Sequence, residues 1–526
     1  MGRSAKKWCP SRREFLVLTG GAAAAAALGG ARTSAEAQGA PRPGGTLRIA
    51  VSTAFDSPDP HKYRSVTNFA LFSLCTNALT EVGKNFELQP SLAESWQVSA
   101  TGLEYTFNLR RGVKFHTGQA LTAEEVKFSL ERIMNPKTAS AQRSDLALVQ
   151  SIEALDPHRV KVTLKQPFTP FLTKVATVRV PIIPASSVPA DGTVTKAVGT
   201  GPWEMVEWKT NEYVRLRRFK EYWEKGLPYI DDVIVRPIAD GNVRLTGLRA
   251  GDLDLIQDVP FKDVDALKTT AKDLVIYTGP GSWPSYIVFN SRKPPFSDVR
   301  VRRAIAHAVD KKALIAGHLW GHAQVANQPF PKGSPWFLDV KEKELDLAKA
   351  KKLLADAGYP TGFEVPILVS TGWAEFVEGA QVIQSQLKKI GIALKLDVTD
   401  LATWVARVNK RDFNVFYLWY SARYDPDDFY RRMFHTSEET SNNRSGYKNA
   451  ALDKLLDQAA ITHDQGERKK MYTQGLQAII EDAPVIWTSI PDVSLAWRTV
   501  LKGFETNLGG YLVFRGGGLP RAWLER

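Results

Sequence analysis

Hydrophobic positions along this chain follow two rhythms, and the change falls near residue 297. Before it, Leu47, Ile49 and Val51 alternate with polar residues, which predicts an opening strand over 46–51. Asp56-Ser57-Pro58-Asp59-Pro60 reads as a rigid turn and 68–79 as a helix. Leu103, Tyr105, Phe107 and Leu109 alternate as in a half-buried strand. Thr122-Ala123-Glu124-Glu125 matches a capping box that would open a helix running through Ile133. Asp156-Pro157-His158 reads as a hairpin turn, with Val160, Val162 and Leu164 on the returning strand. This portion predicts a mixed α+β block.

Beyond 297, helices and strands alternate. The pattern predicts helices over 298–309, 346–357, 375–390 and 403–408, and strands over 365–370, 392–398 and 413–418. Gly358 with Pro360 stops the second helix, and Gly391 the third. Short connections between the last five elements predict a βαβαβ unit and a parallel sheet. Such sheets bind ligands beyond the carboxyl ends of their strands, which directs attention to 419–429.

A third pattern precedes both. Ser11-Arg12-Arg13-Glu14-Phe15-Leu16 opens an uncharged stretch over 15–31, too short and too rich in small residues to hold as a membrane span. Ala35-Glu36-Ala37 supplies an A-x-A cleavage site, so residues 1–37 are expected to be a signal peptide. The arginine pair marks the twin-arginine route for proteins exported already folded. An ordinary secretory signal with two arginines in its basic region is the alternative. No cysteine lies near the cleavage site, so no lipid anchor is expected, and the protein should be soluble in the periplasm.

Composition narrows the classes further. At 44% hydrophobic and 24% charged, the 526 residues are those of a globular chain with room for two or three domains. After Gln38 no apolar run approaches the length of a membrane span. Cys75 is the one cysteine beyond residue 37, so no internal disulfide is expected. The net charge of +13 is spread over helix faces such as Lys349-Ala350-Lys351-Lys352, without aromatic interleaving. That argues against nucleic acid and for attraction to acidic ligands and anionic surfaces.

Enzyme chemistry leaves no recognisable motif. There is no G-x-S-x-G elbow, and His318 and His322 at i, i+4 lack the zincin glutamate, with Gly321 suggesting a helix end. Gly199-Thr200-Gly201-Pro202 lacks phosphate-loop spacing and reads as a tight turn between domains. No pattern singles out a general acid and base, and neither a cofactor nor a metal site is expected.

Several segments together resemble the extracellular solute-binding proteins of family 5, the dipeptide-, oligopeptide- and nickel-binding components of ABC importers. They include Leu92-Ala93-Glu94-Ser95-Trp96, then Tyr105-Thr106-Phe107-Asn108-Leu109-Arg110-Arg111-Gly112-Val113-Lys114-Phe115-His116, then Leu121-Thr122-Ala123-Glu124-Glu125-Val126. Val198-Gly199-Thr200-Gly201-Pro202-Trp203 follows with Glu221-Tyr222-Trp223, then Phe289-Asn290, Asp298-Val299-Arg300-Val301-Arg302-Arg303-Ala304 and Asp425-Pro426-Asp427. The resemblance runs from about Gly44 to Phe504. It implies an α/β Venus-flytrap fold of two lobes with an extra α+β domain inserted in the first. The first lobe would comprise 44–80, 195–280 and 490–526, the inserted domain 81–194 and the second lobe 281–489, with hinges near 195–201 and 277–283. The implied partners are a small-molecule solute or short peptide and the permease subunits of an inner-membrane ABC importer, with the protein itself a monomer.

The resemblance also implies a pocket. In peptide-binding members the segment matching 420–425 carries an aspartate that salt-bridges the peptide amine. Here, aligned on Trp419 and Asp425-Pro426-Asp427, that position is Ala422, beside Arg423. The segment 62–67 offers Tyr63, Arg64 and Ser65 from the first lobe, Trp283 and Tyr286 lie near the hinge, and Trp373, Trp404, Trp419 and Tyr420 lie in other pocket segments. Each has a plainer reading: Trp419 as core, Asp425 as part of a turn, Tyr63 and Arg64 as solvated loop, and Trp203 and Trp223 as packing. An inward Arg423 needs an anion, supplied by Asp425, by another protein carboxylate, or by a carboxylate or phosphate of the ligand. The expected function is capture of a small or medium-sized, carboxylate-bearing solute. Peptide or metal-chelate binding within the same family, an exported hydrolase and a ligand sensor are the alternatives.

Overall fold

The computed structural model describes residues 40–63, 66–176, 179–372, 374–420 and 424–525. The signal segment, Arg64, Ser65, Trp373 and Arg423 therefore lie outside the described residues. No helix among the described residues is long and apolar enough to cross a membrane.

The chain opens with β1 (Thr46–Val51), α1 (Val66–Cys75) and the short hairpin β2 (Thr80–Val82) and β3 (Leu88–Pro90). It then leaves the first lobe for an antiparallel sheet of β4 (Ala93–Val98), β5 (Glu104–Leu109), β6 (Val149–Asp156) and β7 (Arg159–Leu164), in spatial order 4-5-7-6. Helices α2 (Ala123–Met134) and α3 (Phe171–Lys174) complete this inserted domain, whose own core includes Tyr105, Phe107, Phe115, Leu130, Val160 and Phe171. The alternation of Tyr105, Phe107 and Leu109 puts these three side chains on its buried face. Thr122 is the N-cap of α2, but the capping box does not form. Glu125 turns away to accept from the Ala185 amide at 2.7 Å and from Gln119, and Thr122 makes no side-chain cap bond.

The first lobe resumes with β8 (Trp203–Lys209), β9 (Tyr213–Arg218), β10 (Asp232–Pro237), α4 (Gly241–Ala250), β11 (Leu255–Gln257), α5 (Phe261–Thr270) and β12 (Leu274–Pro280). The turn before β8 is a close backbone crossing. A Cβ at Gly199 would sit 2.5 Å from the Cys75 carbonyl oxygen, and one at Gly201 2.3 Å from the Cys75 carbonyl carbon. Trp203 is fully buried and donates from Nε1 to the Ile230 carbonyl at 3.0 Å, while the Trp223 ring centre lies 4.8 Å from the Arg110 guanidinium and 4.9 Å from that of Arg515.

The second lobe comprises β13 (Ser285–Phe289), α6 (Val299–Ala308), α7 (Lys311–Leu319), β14 (Ala323–Val325), α8 (Leu347–Asp356), β15 (Phe363–Ser370), α9 (Ala374–Lys388), β16 (Ile392–Thr399), α10 (Leu401–Asn409), β17 (Val415–Trp419), α11 (Pro426–Phe434), α12 (Ala450–Ile461) and α13 (Gln465–Asp482). Strands β15, β16 and β17 pair in parallel, as the βαβαβ rhythm requires. The sheet as a whole is mixed, because β13 runs antiparallel to β17 and to β18 (Val485–Arg498). Strand β18 pairs through Ser489 with β13 and, from Asp492 onward, with β12 of the first lobe. One fourteen-residue strand thus belongs to both lobes.

His318 and His322 part company where α7 ends at Trp320, which takes a left-handed conformation at φ 50°. His318 Nδ1 bonds the Leu314 carbonyl and its Nε2 meets the Tyr417 hydroxyl at 3.2 Å. His322 stacks on Phe261 of the first lobe, centroids 5.4 Å apart, with Nε2 3.4 Å from Asp265.

Candidate functional site

The cleft between the lobes is bounded by the carboxyl ends of parallel strands, where chain polarity leaves backbone groups and turn residues facing outward. From the first lobe come Ser52, after β1, and Asp258, after β11, joined by a 2.5 Å hydrogen bond from Ser52 Oγ. Asp258 sits in the left-handed region at φ 55°. From the second lobe comes Glu375 at the start of α9. Burial holds its carboxyl above the usual range, and the charges of Glu378 and of Asp258 across the cleft add to that.

The aromatic residues named from the sequence divide into two groups. Trp283 and Trp419 are half-buried and meet edge to face, centroids 4.6 Å apart at 77°. Tyr420 follows Trp419, bonded through its amide to the Pro284 carbonyl at 3.1 Å, with the Arg432 guanidinium 5.6 Å from its ring centre. These three form a half-exposed wall. The others are core. Tyr286, on a strand buried at every position, packs on Phe429. Trp404 faces Phe416 beneath the sheet, and Tyr63 lies edge-on to Phe72 inside the first lobe. The readings of Tyr286, Trp404 and Tyr63 as ligand walls therefore need correction, because each ring is at most 3% exposed.

Asp425 also needs correction. It caps α11, accepting from the Asp427 amide at 2.9 Å, and receives a two-pronged contact from Arg468 at 2.9 and 2.7 Å. Trp336 and Tyr472 cover the guanidinium. Burial alone would lower the Arg468 pKa, but the Asp425 and Tyr472 charges overcome it and raise it. Asp425 is thus engaged in the core and does not face the cleft as a ligand contact.

Sequence reasoning missed residues that bridge the second lobe to the rest of the molecule. Tyr424 projects from the second lobe into an aromatic cluster of the first, against Phe86 at 5.3 Å, with Phe86 in turn 6.2 Å from Tyr511. On the other flank Lys174 of the inserted domain bonds Asp428 of α11 and lies 3.6 Å from Asp145, which also receives Arg179 at 3.0 Å. The Thr169 amide donates to the Ala460 carbonyl at 2.7 Å in the same contact. Between the inserted domain and helices α11 and α12 lies a cavity of about 1,080 Å³. Only the doubled acids Asp427-Asp428, on a helix with a buried apolar face, gave a sequence hint that buried charges here need partners.

Comparison with known proteins agrees with this architecture. Residues 87–442 match the bacterial extracellular solute-binding proteins, family 5, middle region. The glutathione-binding protein GsiB of Pectobacterium atrosepticum is 30% identical over 466 residues, spanning 87% of this chain and 90% of that one. Among solved structures, DppA from Helicobacter pylori in complex with the peptide STSA aligns with a TM-score of 0.79 at 29% identity, over 92% of this chain and 99% of that one. AgaA from A. tumefaciens R10 in complex with agropinic acid aligns with a TM-score of 0.78 at 31% identity, over the same shares. The family consists of solute-binding proteins of ABC importers rather than enzymes. A cleft walled by strand ends, a strand shared by both lobes and a match across most of the sequence lead to one assignment: this chain belongs to the family 5 bacterial extracellular solute-binding proteins.

Proposed function

We propose that this binding protein captures a small, peptide-sized solute bearing free carboxylates and delivers it to the permease of an ABC importer. The observation that carries the reading is the commitment of the acidic groups that follow residues 421–423 in the sequence. Asp425 is held by Arg468, Asp427 by Arg431 and Asp428 by Lys174. At position 422, where peptide-binding relatives present an aspartate to the ligand amine, this chain has alanine, followed by Arg423. The sequence thus places a cation at 423 where relatives carry an acid at 422, and Trp283, Trp419 and Tyr420 offer the ligand an apolar wall. That relatives bind glutathione and agropinic acid supports an acidic solute of this size.

Native mass spectrometry of the purified protein tests the reading, through the mass and charge of any retained solute. Arg423→Ala should weaken binding by roughly 1.5–3 kcal/mol and leave the fold intact. Wild-type affinity in that variant, or a preference for dipeptide amides over acids in a thermal-shift screen, would overturn it. Residues 1–37 complete the reading as a twin-arginine export signal for a monomeric periplasmic protein. Replacing Arg12 and Arg13 by lysine should leave precursor in the cytoplasm, and normal export would move the signal to the general secretory route.

A further inference from the structure

The 1,080 Å³ cavity between the inserted domain and α11–α12 is lined by charged side chains, nearly all already paired. Lys174 bridges Asp428 and Asp145, and Arg431 reaches Asp427 and Asp457, each at 2.9 Å. Arg432 differs. It is half-buried, lies over the Tyr420 ring, and donates from Nη2 to the neutral amide oxygen of Asn442 at 3.1 Å. Among the described residues no carboxylate oxygen comes within 4.0 Å of it. Asn442 in turn donates to Glu438 at 2.9 Å, and Ser441 donates to the same oxygen. Burial alone would raise the Glu438 carboxyl. The bonds from Ser441 and Asn442 and the Arg432 charge outweigh it and lower the pKa.

Among the described residues this relay engages one nitrogen of a guanidinium that lines the cavity and carries five N–H donors. A planar fork over an aromatic ring suits a carboxylate approached through two parallel hydrogen bonds. Lys454, exposed on α12 at the same cavity, adds positive charge. Arg432 lines the cavity and has its guanidinium 5.6 Å from the ring centre of Tyr420, a residue of the aromatic wall.

We propose that this cavity is a second ligand compartment, in which Arg432 takes a terminal carboxylate of the solute whose body lies against Trp283 and Trp419. The inference rests on the acidic-solute reading above and adds where one acid group goes. It also gives the inserted domain a part in recognition, because Lys174 and Asp145 form the opposite wall.

Calorimetric titration with glutathione and with its glycine ethyl ester tests the idea on the full chain. The wild type should prefer the acid to the ester by tenfold or more. Arg432→Gln should bind both alike, through loss of acid binding with ester binding unchanged, and Arg432→Lys should restore part of the preference. Lys454→Gln should lower acid affinity by less than threefold. Equal wild-type affinities, or a preference that survives Arg432→Gln, would overturn the compartment. Equal loss of acid and ester in Arg432→Gln would overturn it too, by giving the arginine a packing role. Binding of neither probe by the wild type would instead sink the acidic-solute reading itself.

Discussion

Where the second lobe meets the first, part of the contact is aromatic; where it meets the inserted domain, part is ionic. Tyr424 inserts between rings of the first lobe and His322 stacks on Phe261, while Lys174 and Asp428 form a charge pair in which neither side chain is more than 12% exposed. Aromatic faces tolerate sliding and partial separation, so such a contact closes gradually. A desolvated ion pair tolerates neither, because each charge left alone lacks both water and partner. The first contact suits a surface that adapts around ligands, and the second suits a catch that is either made or broken. Both are mounted on the same element, since Tyr424 immediately precedes the Asp425 cap of α11 and Asp428 lies in its first turn.

The largest effect should come from the anchor that serves both contacts. Arg468→Met leaves Asp425 charged and unpaired in the core, at a cost of about 3–5 kcal/mol. The denaturation midpoint should fall accordingly, and Arg468→Met with Asp425→Leu should recover part of the loss. An unchanged midpoint in the single variant would show that α11 is not held by this pair, and that the two contacts do not share an anchor.

The next pair of variants separates the two contacts. Tyr424→Ala removes a ring that is 9% exposed and should weaken the contact between the lobes by about 2–3 kcal/mol. Lys174→Met leaves Asp428 without its cation and should cost about 1–3 kcal/mol. Small-angle scattering with saturating ligand should show incomplete compaction in both. Acidification into the carboxylate titration range should relieve the Lys174→Met defect, because a protonated Asp428 no longer needs a cation, and should do nothing for Tyr424→Ala. Equal pH responses would erase the distinction between an aromatic and an ionic contact.

Why these contacts escaped the sequence is physical. Period-two alternation predicted β1 over its observed residues, and the helix–strand rhythm predicted the parallel trio β15, β16 and β17, because those signals are local. The helix expected over 68–79 ends instead at Cys75, where the Gly199 to Gly201 turn packs on the backbone from over a hundred residues away. Glu125 illustrates the same competition, with the Ala185 amide displacing a local cap. In the cleft, the half-buried positions of Trp419 and Tyr420 follow from their place at the end of β17 and just beyond it. Tyr286 and Trp404 misled because aromatic identity does not say which face is covered. The partners of Asp425 and Asp428 come from α13 and from the inserted domain, and neither Arg468 nor Lys174 sits in a motif.

The smallest effect concerns a third seam, which joins the inserted domain to the first lobe and sets two buried histidines beside the Arg132–Asp59 ion pair and the His116–Phe219 ring contact. His61 bonds the Pro181 carbonyl through Nε2 at 2.9 Å. His116 bonds the Gly201 carbonyl through Nε2 at 3.0 Å and accepts the Gly199 amide on Nδ1 at 3.3 Å. Burial pushes both rings down to about 4, so each is neutral in the fold. The unfolded chain takes up these protons below about pH 6.5, while the folded chain resists until near pH 4. Stability from both rings is therefore complete above pH 6.5 and declines as the pH falls toward 4, amounting to about 0.8 kcal/mol lost per ring at pH 6. His61→Gln and His116→Gln should each flatten the slope of denaturation midpoint against pH between 7.5 and 5.5. In the wild type, hydrogen exchange at pH 5.5 should quicken at Gly199 and Gly201 before it quickens at Tyr424. A slope that survives both substitutions would remove the histidines from the account and leave acid sensitivity to the carboxylates of the ionic contact.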